Sequence, residues 1–140
     1  MAEVSVARIA GAAMMAAFAG VIMMVLIFTG LAMSAGAPEA IVGLPVILIF
    51  GMIFGLPIAL GHILILGLPA WLLINRRWPL GRIGTALIGL VIGAVPITIY
   101  GIVEPPADSL TQIGLGAAFG AAGVAAALAF LRTVRAGQTA

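Results

Sequence analysis

The chain lacks cysteine and lysine altogether, and it carries few charged side chains of any kind. Without cysteine it cannot form disulfides, thiolate metal sites or thiol redox centres. Only 7% of its 140 residues are charged and 64% are hydrophobic, whereas soluble domains have about 25% and about 45 to 50%. This composition predicts an integral membrane protein.

Signatures of catalysis are also missing from the sequence. It has no Ser/His/Asp constellation, no zinc-binding HExxH motif, no phosphate-binding loop and no paired carboxylates within an apolar run. We therefore expect no enzyme activity, no catalytic residue, no metal site and no resident cofactor. The six arginines are scattered over the termini and one loop, so they form no continuous basic face, and we expect no nucleic-acid partner.

Four long apolar runs separate the charged positions. They cover residues 9–33, 42–74, 83–103 and 110–131. Since about 20 helical residues cross a hydrocarbon layer of about 30 Å, each run is long enough to span a membrane. We predict an all-α integral membrane protein, with residues 1–140 forming one membrane domain of four transmembrane helices in a small bundle. The first run exceeds the core of about 7 to 15 residues typical of a signal peptide, so we expect it to be retained.

The charges predict the orientation. Four crossings place the N-terminus, the loop 75–82 and the C-terminal tail on one side, and all six arginines lie there. The opposite loops, 34–40 and 104–109, hold three of the four acids. By the positive-inside rule both termini are cytoplasmic. Arginine without lysine, together with abundant alanine and glycine, indicates a high-GC bacterium, so we expect a multi-pass protein of the bacterial cytoplasmic (inner) membrane. Asp108 or Ser109 is expected to cap the fourth helix.

The tripeptide Gly-Leu-Pro recurs every twelve residues within the second run, at 43–45, 55–57 and 67–69. Proline disrupts helical hydrogen bonding, and this run of about 33 residues, about 50 Å long as a helix, exceeds what the hydrocarbon requires. We predict one long, tilted, proline-kinked helix, with residues 42–50 projecting beyond the membrane or lying at its surface. A broken or re-entrant helix is the alternative. Twelve residues make about 3.3 turns, so successive units should be rotated by about 120° and form no single stripe.

The only histidine, His62, lies inside the second run, and an ionisable residue in a span is a candidate functional residue. It lies 14 residues from the nearest arginine of the loop 75–82, about 21 Å along a helix, and Pro96 is equally far from that loop. We therefore expect His62 to meet Thr98, Tyr100 or the carbonyl of Ile92, which Pro96 leaves without a helical partner. One interpretation is a neutral ring that packs between helices. The others are a cofactor-binding contact with haem, quinone or pigment, and a transport role.

Small residues recur at helical spacing in three of the runs, which is how membrane helices approach closely. They are Ala12, Ala16 and Gly20 in the first run, Thr85, Gly89 and Gly93 in the third, and Gly116, Gly120, Gly123 and Ala127 in the fourth. The fourth run is small on nearly every side, so we expect it to contact protein on more than one face. Trp71 and Trp78 are expected at the headgroup level.

Taken together, these patterns favour a small membrane subunit that acts by helix packing, as an accessory, assembly or stabilising partner of a membrane complex. Its expected partners are the lipid bilayer and either another protein or a second copy, contacted through the small-residue faces. One alternative is a small oligomeric transporter or channel. A second is a haem-, quinone- or pigment-binding membrane protein that uses His62.

Overall fold

The computed structural model describes residues 5–78, 80–103 and 109–136. Within them the chain forms four helices: α1 (Val6–Ser34), α2 (Ala40–Arg77), α3 (Arg82–Val103) and α4 (Ser109–Ala136). All four are long and apolar enough to cross a membrane, which confirms the prediction of four such helices. Their ends lie within three residues of the predicted runs, except that α4 continues from the predicted end at 131 to Ala136.

Both ends of α1 carry local signals that the sequence supplies. The side chain of Ser5 accepts a hydrogen bond from the main-chain N–H of Arg8 at 3.3 Å and so caps the first turn. At the other end Gly36 adopts a φ of 91°, and the N–H of Ala37 bonds to the carbonyl of Ala32 at 3.0 Å. This is a Schellman ending, which favours glycine because a side chain is strained at positive φ. The chain then turns into α2.

The core of the bundle is formed by α1, α3 and α4, with α4 between the other two. Ala12, Ala13, Ala16 and Ala17 of α1 are almost completely buried, at most 2% exposed. Thr85 of α3 is only 3% exposed. By contrast, none of the 38 residues of α2, all of them described, is buried. The second helix is therefore attached to the surface of a three-helix unit rather than integrated into it.

One end of the bundle gathers all six arginines. Ala12 near the start of α1 packs with Phe130 and Val134 near the end of α4, and Trp71 near the end of α2 joins this cluster. The guanidinium of Arg135 donates to the carbonyl oxygen of Leu80 at 2.8 Å, which ties the end of α4 to the loop between α2 and α3. The arginines just beyond these contacts therefore share one end of the molecule, as the sequence predicts for an even number of crossings.

The predicted cap of α4 depends on Asp108 and on the side chain of Ser109, which lie outside the described part of the structure. The predicted kink of α2 and the projection of residues 42–50 beyond the membrane stay predictions.

Two π-helical segments interrupt α2, at Gly51–Gly55 and Ile63–Gly67. Each ends at the glycine of a Gly-Leu-Pro unit, so that Pro57 and Pro69 occupy the start of the next α segment. A π turn bonds each N–H one residue further back than an α turn does. When the helix returns to α register, one main-chain carbonyl is left without a helical N–H, and proline, which has no N–H to donate, fits at that position. The sequence repeat is thus matched by a repeat in the backbone.

These π segments correct the expectation that successive Gly-Leu-Pro units are rotated by about 120°. In all three units the glycine and the leucine are partly buried and the proline is exposed, so the units share one face of α2. The reason is that each interval between units contains one π segment, which takes up about one residue. Twelve residues then rotate like about eleven α-helical ones, only about 20° beyond three full turns. The prolines face outwards, and Gly55 of the second unit faces Val21 of α1.

Candidate functional site

The interface between α3 and α4 is a contact of backbone against backbone. A methyl group added at Gly123 would overlap the main chain of Gly89 and would lie 2.9 Å from the Cα atom of Gly93. On the other side of α4, a methyl group at Gly20 would lie 3.5 Å from the Cβ atom of Ala126. The predicted small-residue faces therefore lie at interfaces within the chain. They also confirm that α4 contacts protein on more than one face.

The second helix touches this unit along its glycine face and stands away from it elsewhere. A methyl group at Gly51 would lie 3.1 Å from Val25, and one at Gly55 would lie 3.5 Å from Val21. Beside these contacts two cavities of about 360 Å³ and about 90 Å³ separate α2 from the other helices. The residues that line both of them are Ala16, His62, Ile63, Gly93, Gly123 and Ala126. The two cavities thus form one groove along α2, here called the α2 groove.

His62 spans the α2 groove at the place where the two cavities meet. Its Nε2 atom lies 2.9 Å from the carbonyl oxygen of Ile92 on α3. Residue 96, which would normally donate an N–H to this carbonyl, is a proline inside α3. The imidazole therefore satisfies an acceptor that the proline has orphaned. The bond confirms the Ile92 carbonyl as the partner of His62, whereas the hydroxyl of Thr98 donates to the carbonyl of Ala94 at 3.0 Å.

This bond determines which nitrogen of the ring remains available. A carbonyl oxygen can only accept, so Nε2 of His62 carries the hydrogen, and in the neutral ring the lone pair is on Nδ1. In this rotamer a haem iron or a pigment magnesium could be bound only through Nδ1. The cofactor-binding role of His62 stays a prediction, and the geometry limits it to that atom.

Trp71 is the second polar group of the α2 groove, whereas the sequence analysis expected it only at the headgroup level. Its ring stacks edge-on against Phe130, with centroids 5.3 Å apart and planes at 72°. It lines the smaller cavity, and its Nε1–H is buried with no acceptor among the described residues. Buried indole N–H groups normally have a partner. In the sequence, the feature that indicates this place in the groove is the position of Trp71 one helical turn beyond Gly67. That Gly67 lies on the glycine face of α2 can be recognised only once the π segments are known.

The arginine end of the α2 groove is bordered by a braced loop. The main-chain N–H of Leu80 donates to Oδ1 of Asn75 at 3.1 Å, and its carbonyl accepts from Arg135. The hydroxyl of Thr85 donates to the carbonyl of Gly81 at 3.0 Å. The polar groups lining the groove are thus few, and most are already bonded to main chain. Such a site is suited to an apolar molecule with one hydrogen-bond acceptor.

Comparison of the chain with protein families, with curated proteins and with solved structures gives no match in any of the three.

Proposed function

We propose that this chain is a small multi-pass membrane protein, not an enzyme, that acts through helix contacts as an accessory, assembly or stabilising subunit of a larger membrane complex. The hydrogen bonds of its polar side chains support this. Several of those described inside the helices end on main-chain carbonyls: His62 on Ile92, Thr85 on Gly81, Thr98 on Ala94, Thr133 on Ala129 and Ser34 on Leu31. These groups are engaged in holding helices in shape.

The location follows from charge. All six arginines lie at one end of the bundle, and basic residues collect on the cytoplasmic side of membrane proteins. We place that end, and with it both termini, in the cytoplasm, and the protein in the cytoplasmic membrane of a bacterium. The exposed apolar side chains of all four helices then face lipid or another protein.

The observation that carries the proposal is the position of α2. This helix is 38 residues long, about 57 Å, yet it contributes no buried residue, and its glycine face meets the rest of the chain. The opposite face is aliphatic and open, with Ile65 73% exposed and Leu73 72% exposed. Because the small-residue faces of α1, α3 and α4 are used within the chain, we assign partner binding to this outer face of α2.

Site-specific photo-crosslinking in native membranes tests the proposal. A photoreactive amino acid is placed at Ile65 or Leu73 on the outer face of α2, and at Ile83 on α3, which is 79% exposed, as the matched control. We expect discrete protein adducts from the two α2 positions and only lipid adducts from the control. Mass spectrometry then distinguishes a second copy from a different protein. Lipid adducts alone from all three positions would contradict the proposal.

The alternatives of a transporter or channel, and of a haem, quinone or pigment protein, stay predictions.

A further inference from the structure

We propose that the α2 groove binds one anionic phospholipid. One acyl chain lies along the groove past His62, an ester carbonyl accepts the hydrogen bond of Trp71 Nε1–H, and the phosphate lies at the arginine end. This inference rests on the membrane location proposed above and is independent of the accessory role.

The space calls for an apolar chain. The larger cavity, about 360 Å³, is lined almost entirely by apolar residues, among them the small Gly51, Gly55, Ala59 and Ala122. An apolar void of this size holds no stable water, and if empty it would deprive its lining of van der Waals contacts. It opens beside α2 towards the surroundings of the bundle, where acyl chains are the molecules at hand. A flexible hydrocarbon chain can adapt to an apolar space of this kind.

The need for an acceptor atom comes from Trp71, whose indole N–H can only donate. Its side chain lines the smaller cavity, and its indole N–H is buried and lacks an acceptor among the described residues. The other donor beside it, Nε2 of His62, is already bonded to Ile92. The groove therefore requires one acceptor atom, near its arginine end, on an otherwise apolar ligand. An ester carbonyl at the top of an acyl chain has this chemistry.

Charge selects the headgroup. Trp71 lies six residues before Arg77, about 9 Å along the helix, so the arginine lies beyond the indole towards the end of the bundle. Arg76, Arg77, Arg82 and Arg135 are exposed at this end. On this side of the chain the sequence offers a single acid, Glu3, against six arginines. Such a surface favours an anionic over a zwitterionic phospholipid.

The chain itself provides the probe. It has two tryptophans, and Trp78 is 68% exposed, so the W78F variant leaves Trp71 as the only tryptophan. The full-length variant is reconstituted into phosphatidylcholine vesicles that contain increasing fractions of dibrominated phosphatidylglycerol or dibrominated phosphatidylcholine, whose bromines quench a nearby indole. We expect half-maximal quenching of Trp71 at a mole fraction about fivefold lower, or more, for the phosphatidylglycerol probe, as one engaged arginine would give.

Two variants locate the binding site. Ala59 lines only the larger cavity, so Ala59→Phe should fill it and abolish the preferential quenching, while Ala10→Phe, on the exposed side of α1, should leave it unchanged. If Ala59→Phe fails to fold, the double variant R76Q/R77Q at the exposed end of α2 carries the test, and it should equalise the two lipids. Equal quenching by both probes in the parent protein, or identical behaviour of Ala59→Phe and Ala10→Phe, would overturn the proposal. Saturable quenching by decylubiquinone that displaces the brominated lipid would identify a quinone as the occupant and overturn it as well.

Discussion

The hydrogen bond between His62 and Ile92 can be tested by removing its donor. In the His62→Leu variant the carbonyl of Ile92 loses its only described partner, because Pro96 supplies no N–H. In the Pro96→Ala background the same carbonyl regains a helical N–H from residue 96. The histidine should therefore contribute much more to stability when residue 96 is proline than when it is alanine.

The expected magnitude follows from the geometry. Hydrogen bonds between membrane helices contribute about 0.6 kcal/mol on average and at most about 1.7 kcal/mol, and an orphaned buried carbonyl costs about 1 to 3 kcal/mol. Nε2 of His62 lies 2.9 Å from the carbonyl oxygen of Ile92, and no main-chain N–H competes for this oxygen. We therefore expect the contribution of this bond to lie near the upper limit for hydrogen bonds between membrane helices. We expect His62→Leu to lower the free energy of unfolding by about 1.5 kcal/mol in the parent and by about 0.5 kcal/mol in Pro96→Ala. The coupling energy is then about 1 kcal/mol.

The measurement is a double-mutant cycle from unfolding in mixed micelles of dodecyl maltoside and dodecyl sulfate, followed by far-ultraviolet circular dichroism. Thr133→Val is the control, since its hydroxyl donates to the carbonyl of Ala129 at 2.9 Å and that carbonyl keeps its own main-chain N–H. It should cost less than about 0.5 kcal/mol and show no coupling to Pro96→Ala. Additivity of His62→Leu and Pro96→Ala within about 0.3 kcal/mol would refute the reasoning.

Three further variants probe the bundle in the same unfolding assay. Gly123→Ala should destabilise the bundle by about 2 kcal/mol, because its methyl group would overlap the main chain of Gly89. The control Gly30→Ala, whose methyl group would have nothing within 4 Å, should be neutral or stabilising. Equal effects of the two substitutions would contradict the close contact between Gly123 and Gly89. Arg135→Met removes an exposed hydrogen bond to the loop between α2 and α3, so it should lower the free energy of unfolding by less than about 1 kcal/mol. It should also accelerate chymotrypsin cleavage in that loop. Unchanged cleavage would contradict the role of this hydrogen bond in holding the loop. Gly36→Ala should cost about 1 kcal/mol, because the φ of residue 36 is 91°, and a neutral result would contradict the Schellman ending.

Much of the helical framework could be predicted because the chain is so apolar that charged positions alone delimit the helices. The hydrogen-bond partner of His62 could also be predicted as one of three candidates. Pro96 leaves the carbonyl of Ile92 without a helical partner, and His62 and Pro96 lie equally far from the arginine loop. Depth along an antiparallel pair of helices can be read from residue counts. The choice among Ile92, Thr98 and Tyr100 required the rotation of the helices, which counts do not give.

The face of α2 could not be predicted from the sequence, and the reason is a change of helical period. With 3.6 residues per turn the three Gly-Leu-Pro units point in different directions. The π segments at Gly51–Gly55 and Ile63–Gly67 bring them into line, and with them Trp71. A contact such as Arg135 to Leu80, 55 residues apart in sequence, leaves no local pattern at all.

The central claim is that the chain crosses the membrane an even number of times and leaves its arginines in the cytoplasm. The absence of cysteine makes the natural chain a ready background for single-cysteine mapping. Glu39→Cys at the start of α2 and Gly81→Cys in the arginine loop are both exposed positions. In intact bacterial cells a membrane-impermeant maleimide should label Glu39→Cys at once and Gly81→Cys only after permeabilisation. Labelling of Gly81→Cys in intact cells would contradict the account.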